Sequence, residues 1–144
     1  MSKVEQAVSC FLEGFSCSQA ILSTFSTEFR LEREIALKIA TGFGGGIGRL
    51  GKTCGAVSGA IMVIGLKYGN NKKGDNQTKE KTYELVREFI NRFETLNSSI
   101  VCNKLLDCDI NTPEGLKYAI EKKVFKTICP NLVRSASEIL EQIL

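Results

Sequence analysis

Histidine and tryptophan are absent from this 144-residue chain, and proline occurs only twice. Without histidine there is no Ser–His or Cys–His catalytic pair, no mixed cysteine–histidine zinc site and no histidine-ligated or CxxCH-attached haem. Site chemistry has to come from cysteine, carboxylates, lysine, tyrosine or the backbone. Long hydrophobic runs are missing too. The most apolar stretch, Ala56 to Leu66, is well short of the roughly 20 residues that a membrane-spanning helix needs. Charges interrupt the N-terminal MSKVEQAVSCFLEGF, so it does not read as a signal peptide. A net charge of +3 is too mild to argue for nucleic acid or an anionic membrane as partner. The expectation is a cytoplasmic protein with no nucleic-acid and no membrane partner.

What is present is an ordinary globular composition, 43% apolar and 24% charged, in a length suited to one domain over 1–144. Apolar residues recur at helical spacing almost throughout, and no convincing strand alternation occurs. Val4, Ala7, Val8 and Phe11 mark a first helix closed by Gly14. Ser16 caps a second, with Ile21, Leu22, Phe25 and Phe29 inward. Leu31, Ile35, Ala36, Ile39 and Phe43 outline a third. Gly55–Leu66 is apolar on every side and is expected to be buried at the centre. Tyr83, Val86, Phe89, Ile90, Phe93 and Leu96 form the stripe of a long helix whose other face is charged and solvated. Asn97-Ser98-Ser99 is expected to cap a short helix ending at Leu106, and Thr112-Pro113 to start another. Pro130 is expected to open the last, with Leu132, Val133, Ala136, Ile139, Leu140 and Ile143 inward. The fold expected is all-α: a single-domain helical bundle with a buried central helix preceded by a Gly-rich loop.

That loop, from Thr41 to the helix start at Gly55, holds the densest glycine run of the chain. It contains GxGxxG as Gly46 to Gly51, and GxxxxGK[ST] as Gly46 to Thr53. Both phosphate-loop patterns require a preceding strand, and EREIALKIATGF has helical spacing instead. Gly55 and Gly59, with Ala56 and Ala60, form a small-residue face open to a neighbouring backbone, a cofactor or a second subunit, so a homodimer is one expectation.

Six cysteines in a reducing compartment read as metal ligands, redox thiols or small buried residues rather than a disulfide framework. Four of them, Cys17, Cys54, Cys102 and Cys129, fall at or within a turn of an expected helix start. There the helix dipole and unpaired N–H groups favour thiolates. If packing gathers these ends, four thiolates suit an iron–sulfur cluster or a closed zinc site. The alternative is four separately buried cysteines, since none of the four lies near another in sequence. Cys10 reads as core. Cys108 follows the short helix between Asp107 and Asp109, and is a candidate resolving thiol for Cys102.

These residues carry a resemblance. EGFSCSQAIL, GGGIGR, TCGAVSGAIMVIGLKYG, VCNKLL, NTPEG and the late Cys-Pro together resemble the C-GCAxxG-C-C family of small redox-active proteins over nearly the whole chain. The central order here is Cys54-Gly55-Ala56-Val57-Ser58-Gly59. The family's four cysteines correspond to Cys17, Cys54, Cys102 and Cys129, and the resemblance implies a redox role, with an iron–sulfur or similar group suspected.

Three functions follow as expectations. The first is a redox protein holding an iron–sulfur cluster through those four cysteines and exchanging electrons with a separate redox partner. Gly44, Gly45, Gly46 and Gly51 would bring backbone N–H groups to the cofactor beside the Gly55/Gly59 face, with Arg49 as a nearby positive charge. The second is a thiol–disulfide oxidoreductase without cofactor, with Cys54 as nucleophile. The third is a structural zinc site or an interaction module.

Overall fold

The structure, a computed structural model, describes all 144 residues and holds eight α-helices and no sheet. In chain order these are α1 (Lys3–Leu12), α2 (Cys17–Ser26), α3 (Arg33–Ala40), α4 (Gly55–Tyr68), α5 (Asn76–Asn97), α6 (Cys102–Leu106), α7 (Pro113–Glu121) and α8 (Val124–Ile143). Side-chain caps set several starts. The Ser16 hydroxyl accepts from the Gln19 N–H while the Gln19 side chain accepts from the Ser16 N–H, a reciprocal capping box. Thr112 accepts from the Gly115 N–H with Pro113 in the first helical position. Asp75 accepts from the Thr78 N–H at the head of α5.

Helices α2 and α4 lie side by side at the centre, with α1, α5 and α8 packed around them. Gly59 is what lets the central pair close. A Cβ there would sit 3.0 Å from both the Ile21 Cβ and the Ser18 carbonyl oxygen. The small-residue face of α4 is therefore taken up by α2 within the chain and is not free for a second subunit. Around this contact Ile21, Leu22, Phe25, Val57, Ile64, Phe89, Phe93 and Leu140 are fully buried. Each such side chain contributes about 1.5–3 kcal/mol relative to exposure. A second, smaller core lies apart from it: Cys102, Leu106, Ile110, Ala119 and Cys129. Phe11, Cys17 and Ile128 pack against both cores and form the seam between them.

Several expectations need correction. Pro130 lies inside α8, which begins at Val124 after Lys123 in a left-handed conformation (φ 55°). Having no N–H, Pro130 leaves the Lys126 carbonyl without its usual helical donor. In α3 the inward residues are Ala36 and Ala40, whereas Ile35 (46%) and Ile39 (48%) are exposed, as is Phe43 (37%) in the 3₁₀ turn that follows. The short alanines let α3 lie against α2, turning the bulky row outward. Helix α2 stops at Ser26, leaving Phe29 in a short 3₁₀ turn. Tyr83 and Leu96, the ends of the α5 stripe, extend past their neighbours into solvent. No side chain caps α6; Ser99 accepts instead from the Val101 N–H. No helix is long and apolar enough to cross a membrane.

Between α3 and α4 the glycine loop forms a left-handed turn. Gly45, Gly46, Ile47, Gly48 and Arg49 all have φ between 56° and 67°. L-residues other than glycine lose roughly 1–2 kcal/mol in this region, so Ile47 and Arg49 are held there by their surroundings. Main-chain bonds from Gly48 to Gly42, Gly51 to Gly45 and Lys52 to Gly46 stitch the turn. A helix and a 3₁₀ turn precede it, which removes the strand context of a phosphate loop.

Candidate functional site

The chain then passes from this turn into the cysteine site. An isolated antiparallel bridge joins Thr53 to Val101. It places the Cys54 N–H 2.7 Å from the Ile100 carbonyl, while the Cys102 N–H donates to the Lys52 carbonyl. Cys54 and Cys102 are thus pinned on either side of one short pairing. The glycines adjust the fit. A Cβ on Gly46 would lie 2.6 Å from the Cys102 Cβ, and one on Gly55 would lie 3.3 Å from the Cys17 Cβ. Cys17 enters from the first turn of α2 and Cys129 from the second turn of α8.

Four helices therefore deliver Cys17, Cys54, Cys102 and Cys129 to the seam. The ionisation of each bears on others. Cys17 is held well above the usual thiol range, first by its hydrogen bond with Cys129, then by burial and by the neighbouring thiols Cys129, Cys54 and Cys102. The same hydrogen bond lowers Cys129 against the opposing effect of burial. Burial pushes Cys54 up to about 11, offset only in part by the Ala56 and Val57 N–H groups at the start of α4. Burial likewise pushes Cys102 up to about 12, helped by Cys54, Cys129 and Cys108. Of the four, Cys129 is the thiol whose ionisation its neighbour eases.

The expectation of four dipole-favoured thiolates does not hold. Cys129 is not at a helix start, and α6 is five residues long with little dipole to offer Cys102. At Cys54 the helix start is real, but desolvation outweighs it. That works against Cys54 as an attacking thiolate.

Of the six glycines expected beside a cofactor, Gly46 and Gly55 adjoin cysteines. Gly44 packs on Ser16, Gly45 on Arg49, Gly51 on Asn103 and Gly59 on Ile21. The N–H groups of Gly44 and Gly51 are spent on Thr41 and Gly45 within the loop. Asn103 is a residue that sequence reasoning passed over. Its N–H donates to the Gly51 carbonyl, its Oδ1 accepts from the Ile110 N–H at 3.0 Å, and its Nδ2 donates to Asp109 at 2.9 Å. It ties the glycine loop, α6 and the following turn together. Cys10 is buried away from the site, 3.7 Å from the Ser23 hydroxyl and 3.9 Å from the Arg33 guanidinium.

All six cysteines are free thiols. No three sulfur or carboxylate donors converge on a point where one ion would sit. The donor chemistry is nonetheless uniform: four sulfurs, with no carboxylate interleaved, which matches the preference of iron–sulfur centres for thiolate ligands.

A family model described as "Putative redox-active protein (C_GCAxxG_C_C)" matches residues 15–143. No curated protein and no solved structure matches the chain. The family pattern sets cysteine directly before Ala-x-x-Gly, where this chain has Gly55. Here a side chain at 55 would meet the Ser18 backbone nitrogen at 3.0 Å, and the cysteine stands one residue earlier, at the cap of α4. With the match covering nearly its whole length and the four cysteines gathered at one seam, the chain belongs to the C_GCAxxG_C_C family.

Proposed function

We propose that the seam is a redox centre in which Cys17, Cys54, Cys102 and Cys129 hold an iron–sulfur cluster, and that the protein passes electrons to a separate redox partner. The observation carrying this reading is the delivery of four thiols by four helices to one largely buried place, with no other donor type among them. When bound, such a cluster supplies one-electron chemistry. The chain's own part is to supply thiolates and exclude water. Ala56, Val57 and Ala60 are completely buried behind Cys54. Ligation would draw off the protons that burial keeps on Cys54 and Cys102, since metals bind the thiolate.

The test is iron and acid-labile sulfide analysis, with a visible spectrum, on protein purified without oxygen. Iron with sulfide and absorbance bleached by dithionite is expected, and Cys54→Ser should lose both elements. Unchanged iron and sulfide in that variant would sink the assignment. Zinc alone, redox-silent, would indicate a structural site instead.

The coupling of Cys17 to Cys129, which raises the one thiol and lowers the other, favours one second reading, a dithiol–disulfide couple in which Cys129 attacks and Cys17 resolves. That reading predicts metal-free protein whose fastest alkylation near neutral pH is at Cys129.

A further inference from the structure

The four-cysteine site is largely closed, yet a fifth thiol stands at its edge. Helix α6 ends in a Schellman turn. Asp107 is left-handed (φ 54°), its N–H donates to Lys104, and the Cys108 N–H reaches back to the Asn103 carbonyl at 3.2 Å. That closure folds the second residue past the helix against the helix's first turn. The first residue of α6 is Cys102. Cys108 accordingly packs, half-buried, on the small core that contains Cys102, and the Asn103 side chain braces the turn through Asp109 and Ile110. Cys102 itself is only 8% exposed. One thiol of this pair meets solvent and the other belongs to the site. Asp107 and Asp109 flank the half-buried Cys108 in the chain, two negative charges against the one positive charge of Lys104 a turn away.

We propose that Cys108 is a thiol–disulfide exchange site for small disulfides without net negative charge, and that it transfers their oxidation to Cys102. In the first step Cys108 gives its proton to solvent, against the burial and the Asp107 and Asp109 charges that raise its pKa, and attacks the external disulfide, forming a mixed disulfide and releasing one thiolate. In the second, Cys102 gives up its proton and attacks the Cys108 sulfur, forming Cys102–Cys108, and the leaving sulfur takes up that proton and departs as the second thiol. Two protein thiols are oxidised and one external disulfide is reduced to two thiols, with two electrons transferred. The inference rests on the four-cysteine reading above in one respect: a Cys102–Cys108 bond removes Cys102 from the ligand set.

The probe is cystamine, a dicationic disulfide, applied to metal-free full-length protein and followed by intact mass and peptide mapping. Wild type should end as a Cys102–Cys108 cross-link with no retained adduct. Cys102→Ser should retain one cysteamine on Cys108, and Cys108→Ser should leave Cys102 unmodified. Oxidised glutathione, which is anionic, should react more slowly than cystamine at low salt, with the gap narrowing as salt rises. A wild-type adduct that never resolves, or Cys102 reacting unaided in Cys108→Ser, would overturn the proposal, as would a faster glutathione reaction. Wild-type mapping decides the matter even if a variant fails to fold. Iron analysis on separately loaded protein distinguishes the two ideas: absent iron defeats the cluster reading and leaves this exchange chemistry to be judged by the cross-link alone.

Discussion

The two cores of this molecule are built differently. The larger is assembled from α1, α2, α3, α4, α5 and α8 and contains three fully buried phenylalanines, Phe25, Phe89 and Phe93. The smaller gathers five residues from α6, α7, the turn between them and the near end of α8, and two of the five are cysteines. Cys54 belongs to the first and Cys102 and Cys129 to the second, while Cys17 packs on both. A site at such a seam joins a rigid wall to a thinner one. The large core fixes where α2 and α4 begin, and the small core holds Cys102 and Cys129.

The sharpest way to break this contrast is to hollow each side. Phe93→Ala should lower global stability by about 3–5 kcal/mol. Leu106→Ala should fall nearer the low end of large-to-small changes, about 2 kcal/mol, and speed amide exchange chiefly in α6 and α7. Denaturant melts with hydrogen exchange would decide it; equal global losses and uniform exchange would mean that the two cores are one cooperative unit.

A second probe uses the thiols on either side. Cys54 and Cys102 keep their protons to about 11 and about 12, against an ordinary value of 9.0. Below the ordinary value neither contributes a slope. Above it the unfolded chain binds fewer protons than the folded one, so stability of the metal-free protein falls as pH rises. The slope approaches about 1.4 kcal/mol per pH unit for each thiol until the folded value is reached. Denaturant titrations on both sides of the ordinary thiol pKa would show it. Cys54→Ala and Cys102→Ala should each remove one share, and a slope unaffected by either would contradict the burial of both.

The mildest probe stays within α4. Gly59→Ala should destabilise by about 1–3 kcal/mol by wedging α2 away from α4. Gly65→Ala, where a Cβ meets nothing within 4 Å, should stabilise by roughly 0.5–1 kcal/mol. Thermal melts of the pair would test whether tight packing is confined to the face toward α2.

Much of this architecture could be read from the residues. The helical spacing, the caps at Ser16 and Thr112-Pro113, and the apolar α4 all have local causes, and the structure contains them. The juxtaposition of Cys17, Cys54, Cys102 and Cys129 was legible because three of them do sit at helix starts. Cys129 reached the same group for another reason, since Cys-Pro resembles a helix opening and the true start after Lys123 has no capping side chain to reveal it. The outward row of α3 was hidden because Ala36 and Ala40 bury well despite their size. Asn103 carried no local signal; its partners come from the glycine loop and from the turn after α6. The raised pKa values of Cys54 and Cys102 depend on tertiary burial, which helix position alone does not report.

The left-handed turn at Gly45–Arg49 has a stereochemical consequence. Along those five consecutive residues the main chain follows the hand natural to D-amino acids, whereas left-handed residues such as Asp107 and Lys123 occur singly. Ribosomal synthesis offers glycine as its achiral substitute, and three of the five positions use it. At exposed Gly48 a D-alanine introduced by chemical ligation would relax into the existing backbone, whereas its L-enantiomer would strain it. The wall of this cysteine site is, locally, a piece of mirror-image peptide.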